Sequence, residues 1–184
     1  SAVALGTGRT ATAVALGPYL TCVILDNSTM KCWGENSMGG LGYGDFLDRG
    51  RSVGDMGDNL PTVNLGAGLT PKKIAVYYEH TCAILNDDST KCWGTNWGGQ
   101  LGLENIIDTN APSTAMNLGT GRYAKSLALS GGDDAYFMCA VLDNDTVKCW
   151  GDNTLGNLGY EDTVFRGDNV GEMGDGLSAV SLAL

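Results

Sequence analysis

One motif occurs three times in the chain and constrains its fold more than any other feature. It consists of Lys-Cys-Trp-Gly, a variable residue, Asn and then Leu-Gly. The copies read K-C-W-G-E-N-S-M-G-G-L-G at 31–42, K-C-W-G-T-N-W-G-G-Q-L-G at 91–102 and K-C-W-G-D-N-T-L-G-N-L-G at 148–159. A motif that recurs at nearly regular spacing along a chain indicates a solenoid, a propeller or another repeat array. The sequence therefore predicts a single array of three repeats, at approximately 3–68, 69–121 and 122–184.

Each repeat also contains the pattern of a β-hairpin. A second cysteine precedes each motif cysteine, and a polar tip lies between the two short apolar segments that contain them. The residues halfway between the two cysteines of each repeat are Asn27, Asp87 and Asn144, which are residue types that tolerate left-handed backbone angles. Cysteines placed opposite each other in such a hairpin have Cα atoms ~4.5–5.5 Å apart, which suits a disulfide. The predicted pairs are Cys22–Cys32, Cys82–Cys92 and Cys139–Cys149.

The cysteine pattern also bears on the compartment. All six cysteines belong to the three pairs, and an even count at regular spacing indicates disulfides and an oxidising environment. Zinc is the alternative, but its ligands usually stand two to four residues apart, and the chain has one histidine. The predicted location is therefore extracellular or at the cell surface. Asn27 and Asn144 begin N-x-[ST] sequons at hairpin tips and are glycosylation candidates, with a chance match as the alternative.

Two further apolar segments per repeat complete the strand pattern. One precedes the hairpin, at Ala11–Leu16, Lys73–Tyr78 and Ser126–Leu129. The other follows a Gly-rich loop and closes the repeat, at Pro61–Leu65, Pro112–Leu118 and Leu177–Leu184. No segment carries a useful helical stripe, so the chain is predicted to be all-β. Four short strands per repeat with Gly-rich turns are typical of the four-stranded antiparallel blades of a β-propeller.

These residues resemble the repeats of the regulator of chromosome condensation family, in which an apolar strand precedes C-A-[IV]-L, a polar tip, K-C-W-G-x-N and G-x-L-G. The resemblance covers essentially the whole chain and implies a β-propeller with four-stranded blades. The paired cysteines resemble the secreted or cell-surface branch. Members include a guanine-nucleotide exchange factor and a bacterial inhibitor of β-lactamases, so the fold does not fix the function. Closed propellers of this type have about seven blades, whereas this chain supplies three.

The two ends of the sequence resemble each other. Ser178–Leu184 reads S-A-V-S-L-A-L, and Ser1–Thr7 reads S-A-V-A-L-G-T. Two interpretations follow: a piece of a longer array, or subunits that join tail to head into a ring or a filament. The favoured function is a non-enzymatic structural module, a three-blade segment of a larger extracellular assembly. The alternative is a soluble propeller that presents its loops to a protein partner.

Composition restricts the partners. The net charge is −10, and nucleic-acid binding depends on neutralising phosphates with Lys and Arg, so DNA and RNA are unlikely ligands by charge. No apolar run approaches the ~20 residues that a membrane helix needs. The expected partner is a protein, either further copies of the chain or flanking repeats of a longer one.

Few side chains are candidates for chemistry. His80 is the single histidine, and its repeat equivalents are Leu20 and Phe137, so a structural role is expected. With no free cysteine expected, a nucleophile–histidine arrangement is poorly supported and no enzyme is predicted. Trp33, Trp93 and Trp150 are expected in the blade core. Trp97 breaks the repeat and is either an exposed anchor for a partner, which Tyr77 and Tyr78 would extend, or a locally packed side chain.

The long loops suggest one metal hypothesis. Gly44–Asn59 and Glu161–Gly176 are rich in Asp and Gly, and calcium prefers six to eight oxygen ligands. The spacing does not match an EF-hand, and Arg49, Arg51 and Arg166 offer internal partners to the carboxylates. No other cofactor is expected. The calcium candidates are Asp45, Asp48, Asp55, Asp58, Asp162, Asp168, Glu172 and Asp175.

Overall fold

A computed structural model describes residues 2–130 and 135–182 of the chain. Within these ranges every regular element is a strand, apart from two single 3-10 turns at Gly57–Asn59 and Gly174–Gly176. The strands are β1 (Ala11–Leu16), β2 (Leu20–Leu25), β3 (Met30–Gly34), β4 (Pro71–Tyr77), β5 (His80–Leu85), β6 (Thr90–Gly94), β7 (Ala124–Ser130), β8 (Phe137–Leu142) and β9 (Val147–Gly151). They form three antiparallel sheets in the orders β1-β2-β3, β4-β5-β6 and β7-β8-β9, and each sheet is one blade.

The hairpin of each blade places its cysteines directly opposite each other. Cys22 faces Cys32, Cys82 faces Cys92 and Cys139 faces Cys149, and each pair is joined by a disulfide. The Cα atoms of each pair are 4.1 Å apart, slightly closer than the ~4.5 Å of an ordinary non-hydrogen-bonded pair. The pairing register and the disulfide therefore reinforce the same alignment.

The left-handed residue of each hairpin tip lies one position later than predicted. The left-handed residue follows the predicted midpoint: it is Ser28, Asp88 or Asp145, with φ of 61°, 69° and 66°. The midpoint residue instead uses its side chain. Asn27 Oδ1, for example, accepts hydrogen bonds from the backbone N–H and the hydroxyl of Thr29, at 3.3 and 2.8 Å. This side-chain turn fixes the loop between the two cysteines.

The prediction of four strands per blade was wrong, since each sheet has three. The segments predicted as fourth strands lie beside the third strand but make few ladder bonds: Val63 N–H donates to Met30 C=O, Met116 to Thr90 and Val180 to Val147, each at 2.8 Å. In the first blade a tyrosine explains the interruption. The Tyr43 hydroxyl accepts from Cys32 N–H at 3.0 Å and lies 3.2 Å from Pro61 C=O, between the two segments. Ala183 and Leu184, at the end of the predicted last strand, lie outside the described residues.

The second blade, which lacks this tyrosine, also has three strands but gains one direct bridge. Leu103 stands there in the place of Tyr43 and Tyr160, and Lys91 forms a direct bridge to Ala115 in the segment that closes the repeat. In the third blade Tyr160 repeats the arrangement of Tyr43, with its hydroxyl 3.1 Å from Cys149 N and 2.9 Å from Ser178 O. A tyrosine at this position thus replaces direct pairing by a side-chain link.

Replacing Tyr43 by phenylalanine is expected to lower the free energy of unfolding by about 1–3 kcal/mol, because Cys32 N–H loses its acceptor in a largely buried site. Urea denaturation of the oxidised protein measures the change. Tyr123→Phe is the matched control, since Tyr123 is exposed and only its backbone is engaged. Equal stability of both variants would contradict the role given to the Tyr43 hydroxyl.

The hydrophobic cores lie between adjacent blades. β4 packs against β1 and β2, and β7 packs against β4. Trp93 and Trp150 are fully buried in these cores, and each donates its indole N–H to a loop carbonyl of the preceding blade: Trp93 to Gly40 and Trp150 to Gln100, both at 2.9 Å. The glycine of Leu-Gly permits this contact, since a Cβ on Gly42 would lie 2.5 Å from Trp93 Nε1. The tryptophan therefore joins each blade to the one before it.

The repeat lysine links each blade to the segment that enters it and to its own later loop. Lys31 Nζ donates to the carbonyl of Leu5, in the entry segment, at 3.0 Å and to that of Gly57, in the long loop, at 2.7 Å. Lys91 contacts Leu65 of its entry segment in the same way, and Lys148 contacts Leu118. Burial lowers the pKa of Lys148.

Candidate functional site

Five aromatic side chains from the three repeats form a continuous surface cluster. The ring centroids of Tyr19 and Tyr78 are 4.9 Å apart, those of Tyr77 and Tyr78 6.0 Å, those of Tyr78 and Tyr136 5.9 Å, and those of Tyr136 and Trp97 6.2 Å. Three of the four contacts are edge-to-face, a favoured geometry for aromatic pairs. We call this cluster the aromatic patch. It joins the predicted contact residues Trp97, Tyr77 and Tyr78.

Local backbone geometry places these rings at one end of the strands. Tyr19 and Tyr136 directly precede β2 and β8, and Tyr78 lies in the turn between β4 and β5. Tyr78 has φ of 51°, a left-handed conformation that bulky residues rarely adopt. The Trp97 side chain is 56% exposed, and its indole N–H lies 3.3 Å from Asp108 Oδ2. Trp97 is therefore exposed rather than packed into the blade core, and its use as an anchor for a partner stays a prediction.

Carboxylates surround the aromatic patch. Trp97 contacts Asp108, and Asp152 N–H donates to Tyr136 C=O at 2.8 Å. Burial and the nearby Glu35 carboxylate raise the pKa of Glu79, and Asp108 adds to the effect. Burial is the larger cause of the raised pKa, and the two neighbouring carboxylates add to it, so Glu79 is a partly desolvated carboxyl with other negative groups nearby. We call Glu35, Glu79, Asp108 and Asp152 the acidic rim.

Basic side chains do not neutralise the rim. All 11 lysines and arginines are described, and each is engaged elsewhere. Seven form salt bridges, with Asp26, Asp45, Asp48, Asp88, Asp143, Asp145 and Asp162. The remaining four, Lys31, Lys73, Lys91 and Lys148, donate to backbone carbonyls. The positive charges therefore lie at the hairpin tips, in the long loops and where lysines donate to backbone carbonyls, rather than at the acidic rim.

A second candidate surface is the outer face of the first blade. Leu16, Thr21 and Trp33 are register partners across β1, β2 and β3, and their equivalents in the second blade are Val76, Thr81 and Trp93. The first blade covers these three residues of the second blade, so that Val76 is 8% exposed, whereas Leu16 is 68% exposed. We call Val14, Leu16, Thr21 and Trp33 the first-blade face.

The core prediction for the three tryptophans was therefore wrong for one of them. Trp33 is only half-buried, whereas Trp93 and Trp150 are completely buried. The reason is that no described residue occupies the position of a preceding blade, so Trp33 covers only part of its ring with its own repeat. Among the described residues, its indole N–H has none of the loop-carbonyl acceptors that Trp93 and Trp150 use.

His80 occupies the position of Leu20 and Phe137 at the start of the central strand. Its side chain is completely buried, and neither ring nitrogen has a hydrogen-bond partner among the described residues. Burial lowers the pKa of His80 to about 4, so the ring is neutral at pH 7. A neutral, fully buried imidazole without a hydrogen-bond partner among the described residues fits a packing role.

Among the described residues, Asp168 and Glu172 are the calcium candidates whose side chains contact each other, and no three candidates form a cluster. Asp45 forms a two-point contact with Arg49, at 3.0 and 2.8 Å, and this contact lowers the pKa of Asp45. Asp162 and Arg166 repeat it, with the pKa of Asp162 lowered to about 2. The other candidates also bond to protein groups: Asp48 to Arg51, Asp55 to Gly50 and Ser52, Asp58 to Thr7, Asp168 to Asn169, Glu172 to Gly167, and Asp175 to Thr120. In the described ranges no three His, Cys, Asp or Glu side chains form a potential metal site.

Asn27 and Asn144, the glycosylation candidates, lie at exposed hairpin tips, at the opposite ends of β2 and β8 from Tyr19 and Tyr136. Within residues 2–130 and 135–182, no helix is long and apolar enough to cross a membrane.

Sequence reasoning missed two members of the aromatic patch and the whole rim. Tyr19 and Tyr136 hold the same repeat position, directly before the central strand, and aligning that position would have shown a recurring aromatic residue. The acidic rim had a partial signal of the same kind, since Glu35 and Asp152 both directly follow the Lys-Cys-Trp-Gly motif. Glu79 and Asp108 come from other repeat positions, and the packing of adjacent blades brings them near the other two.

Comparisons with known proteins agree with the repeat motif. A model of the "Regulator of chromosome condensation (RCC1) repeat" matches residues 130–157. The chain is 30% identical over 134 residues to the ultraviolet-B receptor UVR8 of Arabidopsis thaliana, covering 73% of this chain and 28% of that protein. It is 30% identical over 175 residues to the probable E3 ubiquitin-protein ligase HERC6 of Homo sapiens, covering 89% of this chain and 15% of the ligase.

Solved structures show the same architecture. Human WBSCR16 superposes with a TM-score of 0.67 and 17% identity, covering 95% of this chain and 40% of that one. Yeast RCC1 (Prp20), in its crystal structure with Kap60, also gives 0.67, with 15% identity over 96% of this chain and 36% of that one. The chain thus spans less than half the length of each of these proteins. With three blades built around the recurring Lys-Cys-Trp-Gly motif, the chain belongs to the RCC1 repeat family of β-propeller proteins.

Proposed function

We propose that the chain is a non-enzymatic module for protein assembly, and that its first-blade face binds a further blade of the same repeat type. The contrast between Leu16, which is 68% exposed, and Val76, which is 8% exposed at the same repeat position, carries the proposal. Burying an apolar side chain of this size stabilises a contact by roughly 1.5–3 kcal/mol. A face of this kind on an otherwise well-packed blade is typical of an interface.

The chemistry of the expected contact follows from the two blade junctions already present. In each, the tryptophan donates its N–H to a loop carbonyl of the preceding blade, and in the second blade the Thr81 hydroxyl donates to the same Gly40 carbonyl, at 2.9 Å. Trp33 and Thr21 present the same donors on the first-blade face. The blade that covers this face should therefore supply a loop carbonyl at the position of Gly40.

The third blade of another copy has such a loop. Asn157 stands at the position of Gly40 and Gln100, and in the described ranges no tryptophan donates to its carbonyl. Its Oδ1 atom is buried without a partner in the same ranges. A contact between the first blade of one copy and the third blade of another is heterologous, so it closes into a ring or extends as a filament. Flanking blades of a longer chain would use the same surfaces.

We further propose an extracellular location. Three disulfides within the chain and no free cysteine fit an oxidising compartment. The relatives' printed names include a receptor and probable ubiquitin ligases, and this chain spans only 28% and 15% of the two named above, so their activities are not extended to it. A soluble propeller that binds a protein partner through its loops is the second candidate, favoured by the aromatic patch.

Sedimentation equilibrium over a range of concentrations tests the assembly proposal. The mass of the chain is 19.2 kDa, and we expect the average mass to exceed this value and to rise with concentration. Leu16→Lys should return the protein to 19.2 kDa, because it places a charge in the proposed contact. Leu47→Lys is the matched control, since Leu47 is 67% exposed and lies in the first long loop.

Two outcomes would contradict the proposal. In the first, the unmodified protein stays at the monomer mass at every concentration. In the second, the charge at position 47 disrupts association as strongly as the charge at position 16, which would indicate general repulsion rather than a contact at the first-blade face.

A further inference from the structure

We propose that the aromatic patch and its acidic rim form a binding site for an arginine-bearing segment of a partner protein. This site is separate from the first-blade face, because the two surfaces share no residue. The proposal therefore stands or falls independently of blade-to-blade assembly. Three features carry it: the chain of aromatic rings, the exposure of Trp97 and the carboxylates that form no salt bridge among the described residues.

The aromatic rings provide the first element of recognition. A guanidinium group stacks on the face of Trp or Tyr within about 6 Å of the ring centroid, and Trp is the preferred ring. The chain itself uses this contact twice, with Arg49 at 4.1 Å from the Tyr43 centroid and Arg166 at 4.2 Å from the Tyr160 centroid. The exposed face of Trp97 presents an equivalent surface to an external cation.

The acidic rim provides the second element. Glu35, Glu79, Asp108 and Asp152 form no salt bridge among the described residues, although seven other acidic residues each have a basic partner. Asp108 also lies within hydrogen-bond distance of Trp97, so a cation on the indole ring would have a carboxylate beside it. A planar guanidinium can satisfy both groups together, and arginine is better suited to this geometry than lysine.

The charge distribution excludes other classes of partner. A nucleic acid or an anionic membrane surface would meet the acidic rim with like charge. The rim carboxylates accept hydrogen bonds from neighbouring polar groups but have no basic partner among the described residues, so a purely apolar segment would partly desolvate their charges without compensating them. A segment with arginine beside apolar residues would contact both the carboxylates and the aromatic rings. Because the aromatic patch spans positions from all three repeats, this segment would be extended or a loop.

The test uses the intact, oxidised protein and a synthetic Gly/Ser peptide that carries several arginines. Titration calorimetry should detect binding that weakens with added salt. Trp97→Thr, which introduces the residue of the third repeat, should weaken binding about 5- to 10-fold through loss of the cation–π contact. Glu35→Gln should weaken it about 2- to 5-fold, as expected for one partly exposed charge pair.

Matched controls separate the site from general charge attraction. Glu161→Gln removes one exposed carboxylate outside the rim and should leave the affinity unchanged. The same peptide with glutamate in place of arginine should not bind, and one with lysine should bind less tightly. The proposal is overturned if the arginine peptide fails to bind at low salt, if Trp97→Thr leaves its affinity unchanged, or if Glu161→Gln weakens binding as much as Glu35→Gln.

Discussion

Replacing Trp150 by alanine is expected to lower the free energy of unfolding by about 3–5 kcal/mol, the range observed for large aromatic residues removed from a packed core. Trp150 is completely buried between the second and third blades, and its N–H donates to Gln100 C=O at 2.9 Å. The substitution removes this donor as well as the apolar contacts. Urea denaturation with the disulfides intact, followed by circular dichroism, measures the change.

Trp33→Ala is the matched comparison, since it removes the same side chain from the same repeat position. Trp33 is half-buried and has no preceding blade among the described residues, so the expected loss in the monomer is less than half as large. An equal loss for both variants would contradict the conclusion that the blade junction, rather than the blade itself, gives the tryptophan its stabilising role.

The stability of the protein is expected to fall by about 3 kcal/mol between pH 7 and pH 4 because of His80 alone. Burial lowers the pKa of His80 from 6.5 to about 4, and each pKa unit corresponds to ~1.4 kcal/mol. The unfolded chain binds the proton first as the pH falls. The contribution to stability is therefore complete above pH 6.5 and is lost progressively towards pH 4.

His80→Leu and His80→Phe introduce the residues of the first and third repeats and should remove this pH dependence. Both variants should be more stable than the parent at pH 5. Glu79, whose pKa is raised, acts in the opposite direction, but it is present in all three proteins and cancels in the comparison. Parallel stability curves for parent and variants between pH 7 and pH 4 would show that His80 does not titrate as its burial implies.

The sequence was sufficient for features that depend on local spacing. The hairpin register could be predicted because a disulfide between opposed cysteines requires a tip centred between them. The three-sheet array followed from the repeat, and the family resemblance implied the propeller blade. The fourth strand could not be excluded, since in the first and third blades the hydroxyl of Tyr43 or Tyr160 takes the place of direct pairing only once the loop has folded back. The second blade has Leu103 at this position and forms an isolated bridge instead of a fourth strand.

The candidate site was predictable only in part. Trp97 stood out as an aromatic residue that breaks the repeat, and Tyr77 and Tyr78 as residues that would extend its surface. Their connection to Trp97 runs through Tyr136, which comes from the third repeat. The partial burial of Trp33 could not be predicted from the motif either. Tryptophans in identical motifs are buried to different extents, depending on whether a preceding blade covers them. Both features arise from packing between blades rather than from any single repeat.

The most direct test of the assembly proposal is a site-specific cross-link from the first-blade face. A photo-reactive phenylalanine analogue in place of Trp33 would be irradiated in the associated protein, and the cross-linked peptide identified by mass spectrometry. We predict a link between two copies, to the peptide of the third blade that contains Asn157. The absence of an intermolecular link, or a link to a peptide elsewhere in the chain, would contradict the account.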